Sequence, residues 1–322
     1  MLGVIKMRGP NIVVIGGGSG LATLLRGLKN YSDSISAVVC MTDNGRSSGK
    51  LREDLKMLPP GDIRQCLVAL SSQESLLSEL FNFRFKKGQH LNGHSLGNLL
   101  LAGLTEMSGD FRKAVKLMSQ ILDIKGRVLP VTLEQIQLGA RLANRKKVIG
   151  ESEMSLAGHK SPIKKVFFVP RKARANREAV MAIREADLII IGPGSLYTSI
   201  IPNFLFREIT KSVSDSLALK IFICNVSTER GETEGFSVKD HIQAIVSHAD
   251  SKIFDICLIN SKILKRSRKA GEMGEVCNIS CVEKIIGRYK IKKANIINLE
   301  NALYHDSYKL AREIMKIYWD IL

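Results

Sequence analysis

Short, nearly unbroken apolar runs recur along the chain, at residues 12–15, 35–41, 166–169, 188–191, 220–224, 256–259 and 294–298. Most lack the in–out alternation of a half-exposed strand. They read as strands covered on both faces, the pattern of a parallel sheet. Stretches of helical character lie between them. Residues 21–28 follow the first run and 176–185 lead into the fourth. Ser237 opens a helix over 238–248, with Asp240 three residues on as a variant capping box. A last helix is expected over 304–321. Strands alternating with helices predict the α/β class, with a Rossmann-like, doubly wound, mostly parallel sheet.

The alternation breaks after residue 60. Asp62 is placed to cap a helix over 63–70, Ser95 one over 96–107 and Asp110 one over 111–122. A hairpin follows, with 135–142 and 147–152 flanking Ala143-Asn144-Arg145. The pattern predicts one α/β domain over 1–322 with a helical and β-hairpin insertion at 61–160. It contains no internal repeat and no low-complexity linker.

Composition narrows the class. In 322 residues the apolar share is 45% and the charged share 25%, which suits a globular core and argues against disorder. The formal charge of +17 admits nucleic acid, an anionic membrane or an anionic small ligand as partner. The basic runs Arg171-Lys172-Ala173-Arg174 and Lys265-Arg266-Ser267-Arg268-Lys269 lack interleaved aromatics, and aromatic residues are only 6% of the chain. They read as solvated faces rather than as a nucleic-acid surface. No stretch approaches the ~20 apolar residues of a membrane span. Lys6 and Arg8 precede an apolar run too short for a secretion signal. The six cysteines are scattered, only Cys277 and Cys281 lying close together, so reduced thiols and a cytoplasmic setting are expected.

Chemistry concentrates in five places. Gly16-Gly17-Gly18-Ser19-Gly20 joins the first strand to a helix, so bare backbone amides at Gly17, Gly18, Ser19 and Gly20 can approach a phosphate at a helix N-terminus. The full dinucleotide fingerprint is absent, because no register supplies its third glycine. After the second strand comes Thr42-Asp43-Asn44-Gly45-Arg46-Ser47-Ser48-Gly49-Lys50-Leu51-Arg52. Asp43 suits a ribose hydroxyl or a metal, while Asn44, Ser47, Ser48 and Gly49 suit an anion. This loop is one residue short of a Walker A sequence. Ser47 fits G-x-S-x-G but lies too far from the strand end for a nucleophile elbow. Pro59-Pro60-Gly61-Asp62-Ile63-Arg64 delivers a helix start, with Asp62 a candidate ligand contact as well as a cap. Arg64 on its first turn is disfavoured there by the helix dipole and is therefore a candidate anion ligand. In Gly93-His94-Ser95-Leu96-Gly97-Asn98, Asn98 faces the same edge. A second strand-end cradle is Gly192-Pro193-Gly194-Ser195-Leu196-Tyr197-Thr198-Ser199, with Gly192, Gly194, Ser195 and Tyr197 as candidates. Arg46, Lys50, Arg52 and Arg64 would supply cations beside it.

Together these motifs resemble the YvcK-like gluconeogenesis factors of the CofD-like superfamily, also known as uncharacterised protein family UPF0052. The match runs in order from about residue 11 to 260. The resemblance implies a CofD-like fold and a cytoplasmic factor needed for growth and cell shape on gluconeogenic carbon sources. It implies binding of UDP-sugars such as UDP-GlcNAc; the paired glycine loops without an evident acid/base pair favour a regulatory protein with no turnover. The superfamily's 2-phospho-L-lactate transferases imply the alternative, a Mg2+-dependent transferase with a nucleoside-diphosphate-linked donor and Asp43 as metal ligand. The family loop is expected to read Asp-Asp-Gly-Gly, and Asn44 and Arg46 depart from it. Neither a membrane nor nucleic acid is expected as partner, and assembly into a homo-oligomer is left open.

Overall fold

The computed structural model describes residues 9–72, 75–262, 273–275 and 284–322. The basic run at 265–269, Cys277, Cys281 and the basic residues Lys6 and Arg8 lie outside them. In chain order the strands are β1 (Ile12–Gly16), β2 (Ile35–Val39), β3 (Arg127–Pro130), β4 (Gln137–Leu142), β5 (Lys147–Ile149), β6 (Ile163–Val169), β7 (Leu188–Ile191), β8 (Leu219–Ile223), β9 (Ser227–Glu229), β10 (Ile256–Asn260), β11 (Met273–Glu275), β12 (Ile285–Ile286) and β13 (Tyr289–Ala294). The helices are α1 (Gly18–Leu28), α2 (Arg46–Leu55), α3 (Gly61–Leu70), α4 (Ser75–Asn82), α5 (Leu96–Ser108), α6 (Phe111–Ile121), α7 (Glu151–Gly158), α8 (Arg177–Arg184), α9 (Ile201–Phe204), α10 (Arg207–Asp215), α11 (Val238–His248) and α12 (Ser307–Trp319).

The main sheet has eight strands in the order β12-β13-β10-β8-β7-β1-β2-β3. Its neighbours run parallel except β12 against β13. Val14, Ile15, Ile190, Ile191, Ile221 and Phe222 are fully buried, which explains why these strands read as unbroken apolar runs. Helix α1 buries Leu21, Leu24, Leu25 and Leu28, the one-face spacing of an amphipathic helix. Each such leucine stabilises the fold by about 2 kcal/mol relative to its exposed form.

Three expectations need correction. The 166–169 run is the end of β6, which pairs antiparallel with β4 and completes a β5-β4-β6 sheet apart from the main one. The last parallel strand is β13 rather than residues 294–298. In β13, lysines at 290, 292 and 293 interrupt the apolar pattern near the sheet's edge. The stretch at 61–160 also holds β3, which extends the main sheet beside β2. The predicted caps at Ser95 and Asp110 form, each side chain accepting backbone N–H groups of its own helix. The capping box of Ser237 and Asp240 forms as well.

Candidate functional site

Strands β1 and β7 are neighbours, yet the chain leaves them in opposite directions, from β1 to β2 and from β7 to β8. A doubly wound sheet opens its crevice at such a switch point. The end of β1 turns into α1 through Gly18, whose φ of +67° suits glycine. The N-cap, Gly17, has no side chain to satisfy the first amides. A Cβ on Gly20 would lie 2.9 Å from the Pro193 carbonyl oxygen, so only glycine lets the two strand-end loops touch. Between them lies a cleft of about 220 Å³. Gly17, Gly18, Ser19 and Gly20 form one wall and Gly194 and Ser195 another. The lining also includes residues outside the five motifs, among them Asn225 and Glu229 after β8 and Tyr304 and His305 before α12. Asn225 was findable, since it sits at the carboxyl end of a main-sheet strand. Its side chain holds Gly194 from both sides, accepting from the amide at 3.3 Å and donating to the carbonyl at 2.8 Å.

Carboxylates gather along this crevice. The Gly18 N–H donates to Asp62 Oδ2 at 2.7 Å. Asp62 therefore does not cap its own helix, whose N-cap is Pro60; it caps α1. Burial and the neighbouring Asp43 push its carboxyl up to about 7, against the lowering effect of the Gly18 bond. Asp43 Oδ1 accepts from the Gly45 amide at 2.9 Å. Glu151, at the start of α7, shares a 2.5 Å hydrogen bond with the Thr42 hydroxyl. Burial, then Asp43, raises its carboxyl well above the usual range. Glu232 accepts from the Tyr197 amide and the Thr198 hydroxyl, and burial with the nearby Glu229 pushes it up to about 8. Glu229 Oε1 accepts from the Ser195 hydroxyl at 3.0 Å, and burial raises this carboxyl too. No local sequence pattern marks these glutamates. Glu151 reaches Thr42 across 109 residues.

Other candidates occupy different places. Asn44 accepts from the Glu151 amide at 3.2 Å and so fixes the start of α7. Gly49 packs against the Asn44 carbonyl, where any Cβ would collide. Ser47 accepts from Asn98 Nδ2 at 3.1 Å and meets His94 Nδ1 at 3.0 Å, a buried knot joining α2 to α5. Burial, then Lys50, lowers the His94 pKa. Ser48 is buried beside Gly61, where a Cβ would come within 2.5 Å of its Oγ and 2.7 Å of Asp43 Oδ2. Gly192 takes a positive φ of 79° at the end of β7.

Among the described residues none of the expected cations lines the cleft between the glycine loops, although Arg64 is near enough to lower the Asp62 pKa. Arg64 donates to the Phe81 carbonyl at 3.3 Å and to Asn82, tying α3 to α4. Arg52 donates to the Asp43 and Ile136 carbonyls. Lys50 is exposed, and the side chain of Arg46 lies outside the described part. Tyr197 is also redirected. Its ring packs edge-on to Phe236 and His248, and burial pushes its hydroxyl up to about 12. Both loops thus sit where the sequence places them, but the charge around them is negative.

Asp43 and Asp62 are a pair, not a closed cage. Among the described residues no group of three His, Cys, Asp or Glu is arranged to hold a metal ion. Two carboxylates do fit magnesium, which keeps several waters and typically binds through one or two carboxylates together with a substrate's phosphates. Among the described residues, no helix is long and apolar enough to cross a membrane. Cys40, Cys66, Cys224 and Cys257 are buried free thiols.

Comparison with known proteins agrees with this architecture. The family described as 2-phospho-L-lactate transferase CofD matches residues 12–293. A gluconeogenesis factor from Halalkalibacterium halodurans is 43% identical, covering 96% of this chain and 97% of its own. One from Bacillus subtilis is 42% identical, covering 94% and 96%. A crystal structure of a UPF0052 family member from Bacillus halodurans superposes with a TM-score of 0.90 at 42% identity, over 96% of this chain and 99% of that one.

Proposed function

This chain belongs to the CofD family, alongside the gluconeogenesis factors, and from that premise we propose that it is a cytoplasmic regulatory protein whose switch-point crevice binds a nucleotide sugar of the UDP-GlcNAc type. The observation that carries the reading is the contact of two glycine loops at the ends of β1 and β7, with the N-terminus of α1 between them. Backbone amides at such a place suit a diphosphate. Binding there would report the supply of sugar nucleotides to growth and cell shape on gluconeogenic carbon sources. Titration calorimetry with UDP-GlcNAc tests it. Saturable heat is expected, and no binding at millimolar ligand overturns the reading.

A second reading is favoured by the Asp43–Asp62 pair. Magnesium bound with the phosphates would neutralise their charge and polarise the phosphorus centre attacked in a transferase reaction. Asp43 and Asp62 would hold it, and the α1 amides would orient the diphosphate. Magnesium-dependent release of nucleoside monophosphate, lost in Asp43→Ala, would place this reading first.

A further inference from the structure

The cleft between the glycine loops has a chemical character of its own. No lysine or arginine lines it among the described residues. Its side-chain polar groups are mostly hydroxyls, Ser19, Ser195 and Ser199 among them, with the Asn225 amide and one carboxylate, Glu229. His305 also lines it. Its Nε2 meets the Cys224 carbonyl at 3.3 Å, a contact in which the nitrogen donates, so the neutral ring keeps an acceptor on Nδ1. Burial pushes this histidine down to about 4, so it adds no positive charge near neutrality. Away from the glycine amides, the Glu229 side of the cleft offers acceptors, hydroxyls and no cation, which suits a neutral group rich in O–H donors.

Glu229 is held as a recognition group would be. Its backbone N–H donates to Thr233 Oγ1 at 2.9 Å. Its strand β9 pairs with β11, with Glu229 opposite Met273. Oε1 accepts from Ser195, whose neighbour Gly194 is clamped by Asn225. Among the described residues no partner takes Oε2. The carboxylate is therefore oriented by the same loop that lines the cleft, with an acceptor to spare. Two syn oxygens accept from two adjacent hydroxyls, as a strand-end acidic residue does for ribose in dinucleotide folds. Here the acid comes from beyond β8, on the opposite half of the sheet.

Building on the nucleotide-sugar reading above, we propose that Glu229 is a specificity-determining residue that reads a vicinal diol of the ligand, the sugar ring lying on the Glu229 side of the cleft and the phosphates against the amides at the start of α1. The diol belongs either to the ribose or to the hexose. A phosphorylated ring is excluded, because its dianion would face the carboxylate without a compensating cation.

Titration calorimetry of the full chain at fixed magnesium, with UDP-GlcNAc, UDP and 2′-deoxy-UDP, tests this. Glu229→Gln keeps the shape and removes the charge; UDP-GlcNAc affinity should fall about tenfold or more. Ser195→Ala leaves the carboxylate but frees it to rotate, and a smaller fall of about threefold is expected. If the hexose fills the cleft, Glu229→Gln leaves UDP affinity unchanged. If the ribose fills it, UDP loses the same factor and 2′-deoxy-UDP binds the unsubstituted protein correspondingly weakly. Unchanged affinity of both variants for UDP-GlcNAc and UDP overturns the proposal while leaving nucleotide binding intact. If the unsubstituted protein binds none of the three at millimolar concentration, the nucleotide reading fails and this proposal falls with it. Should Glu229→Gln not fold, Ser195→Ala carries the same decision.

Discussion

Asp62 shows how a residue can be found for the wrong reason. Its place after Pro59-Pro60-Gly61 reads as a helix cap, and the sequence pattern for capping one's own helix is identical to that for capping another. The structure sends the carboxylate to Gly18. Its raised pKa has a stability consequence. Between the ordinary value of 3.8 and about 7 the folded state holds a proton that the unfolded state has lost, so stability falls as pH rises through that window. Asp62→Asn keeps an acceptor for Gly18 and removes the charge. At pH 8 it should raise unfolding free energy by about 2 kcal/mol in urea titrations, discounted for the solvent that reaches this half-buried group. At pH 4 the gain should vanish. Arg64 answers two demands at once: it donates to the Phe81 carbonyl, while its Nε is buried without a hydrogen-bond partner among the described residues and its charge lowers the Asp62 pKa. The glycines were legible because a missing Cβ has few uses. Gly20→Ala should force the loops apart and abolish nucleotide binding in calorimetry, with the fold retained by circular dichroism.

At the level of elements, legibility followed the number of covered faces. Strands β1, β7 and β8 lie inside the sheet, and their apolar runs mark them. Strand β13 is paired on one side only by the two-residue β12, and its alternation with lysine hid it. The 166–169 end of β6 is as apolar as the core strands, but its antiparallel partner β4 could not be read from composition. Helix caps were legible because the cap and its amide lie within three residues. Ser95→Ala should destabilise the protein by about 1 kcal/mol in chemical denaturation, through the lost cap on α5. Packing between distant helices is less visible. Gly27 of α1 faces α12, where a Cβ would come within 2.7 Å of Ala311 Cβ and closer still to the Ser307 carbonyl. Gly27→Ala should cost about 1–3 kcal/mol by overpacking and lower the thermal midpoint accordingly.

For the molecule as a whole, the net charge of +17 misleads about the site. The run at 171–174 carries its cations exposed, while the crevice gathers Asp43, Asp62, Glu151, Glu229 and Glu232. Two families of groups then oppose each other with pH. His305, pushed down to about 4, stays neutral in the fold while the unfolded chain takes up a proton below about 6.5. This removes about 3 kcal/mol as pH falls to 4. The raised carboxyls act in the other direction, and above 6.5 they act alone. The thermal midpoint should therefore decline from pH 6.5 to 8 at constant ionic strength. His305→Asn should flatten only the acid limb. The far end of the cleft has a consequence in time. Ser307 donates to the Thr23 carbonyl at 2.6 Å, across 284 residues, and residues 303–305 supply one wall. At ~5–20 residues per second, the ribosome makes that wall roughly 15–60 s after the loop it closes upon. During that interval the nascent chain carries the first glycine loop without its pocket, so a ligand of the proposed crevice would not template early folding and would stabilise only the completed fold.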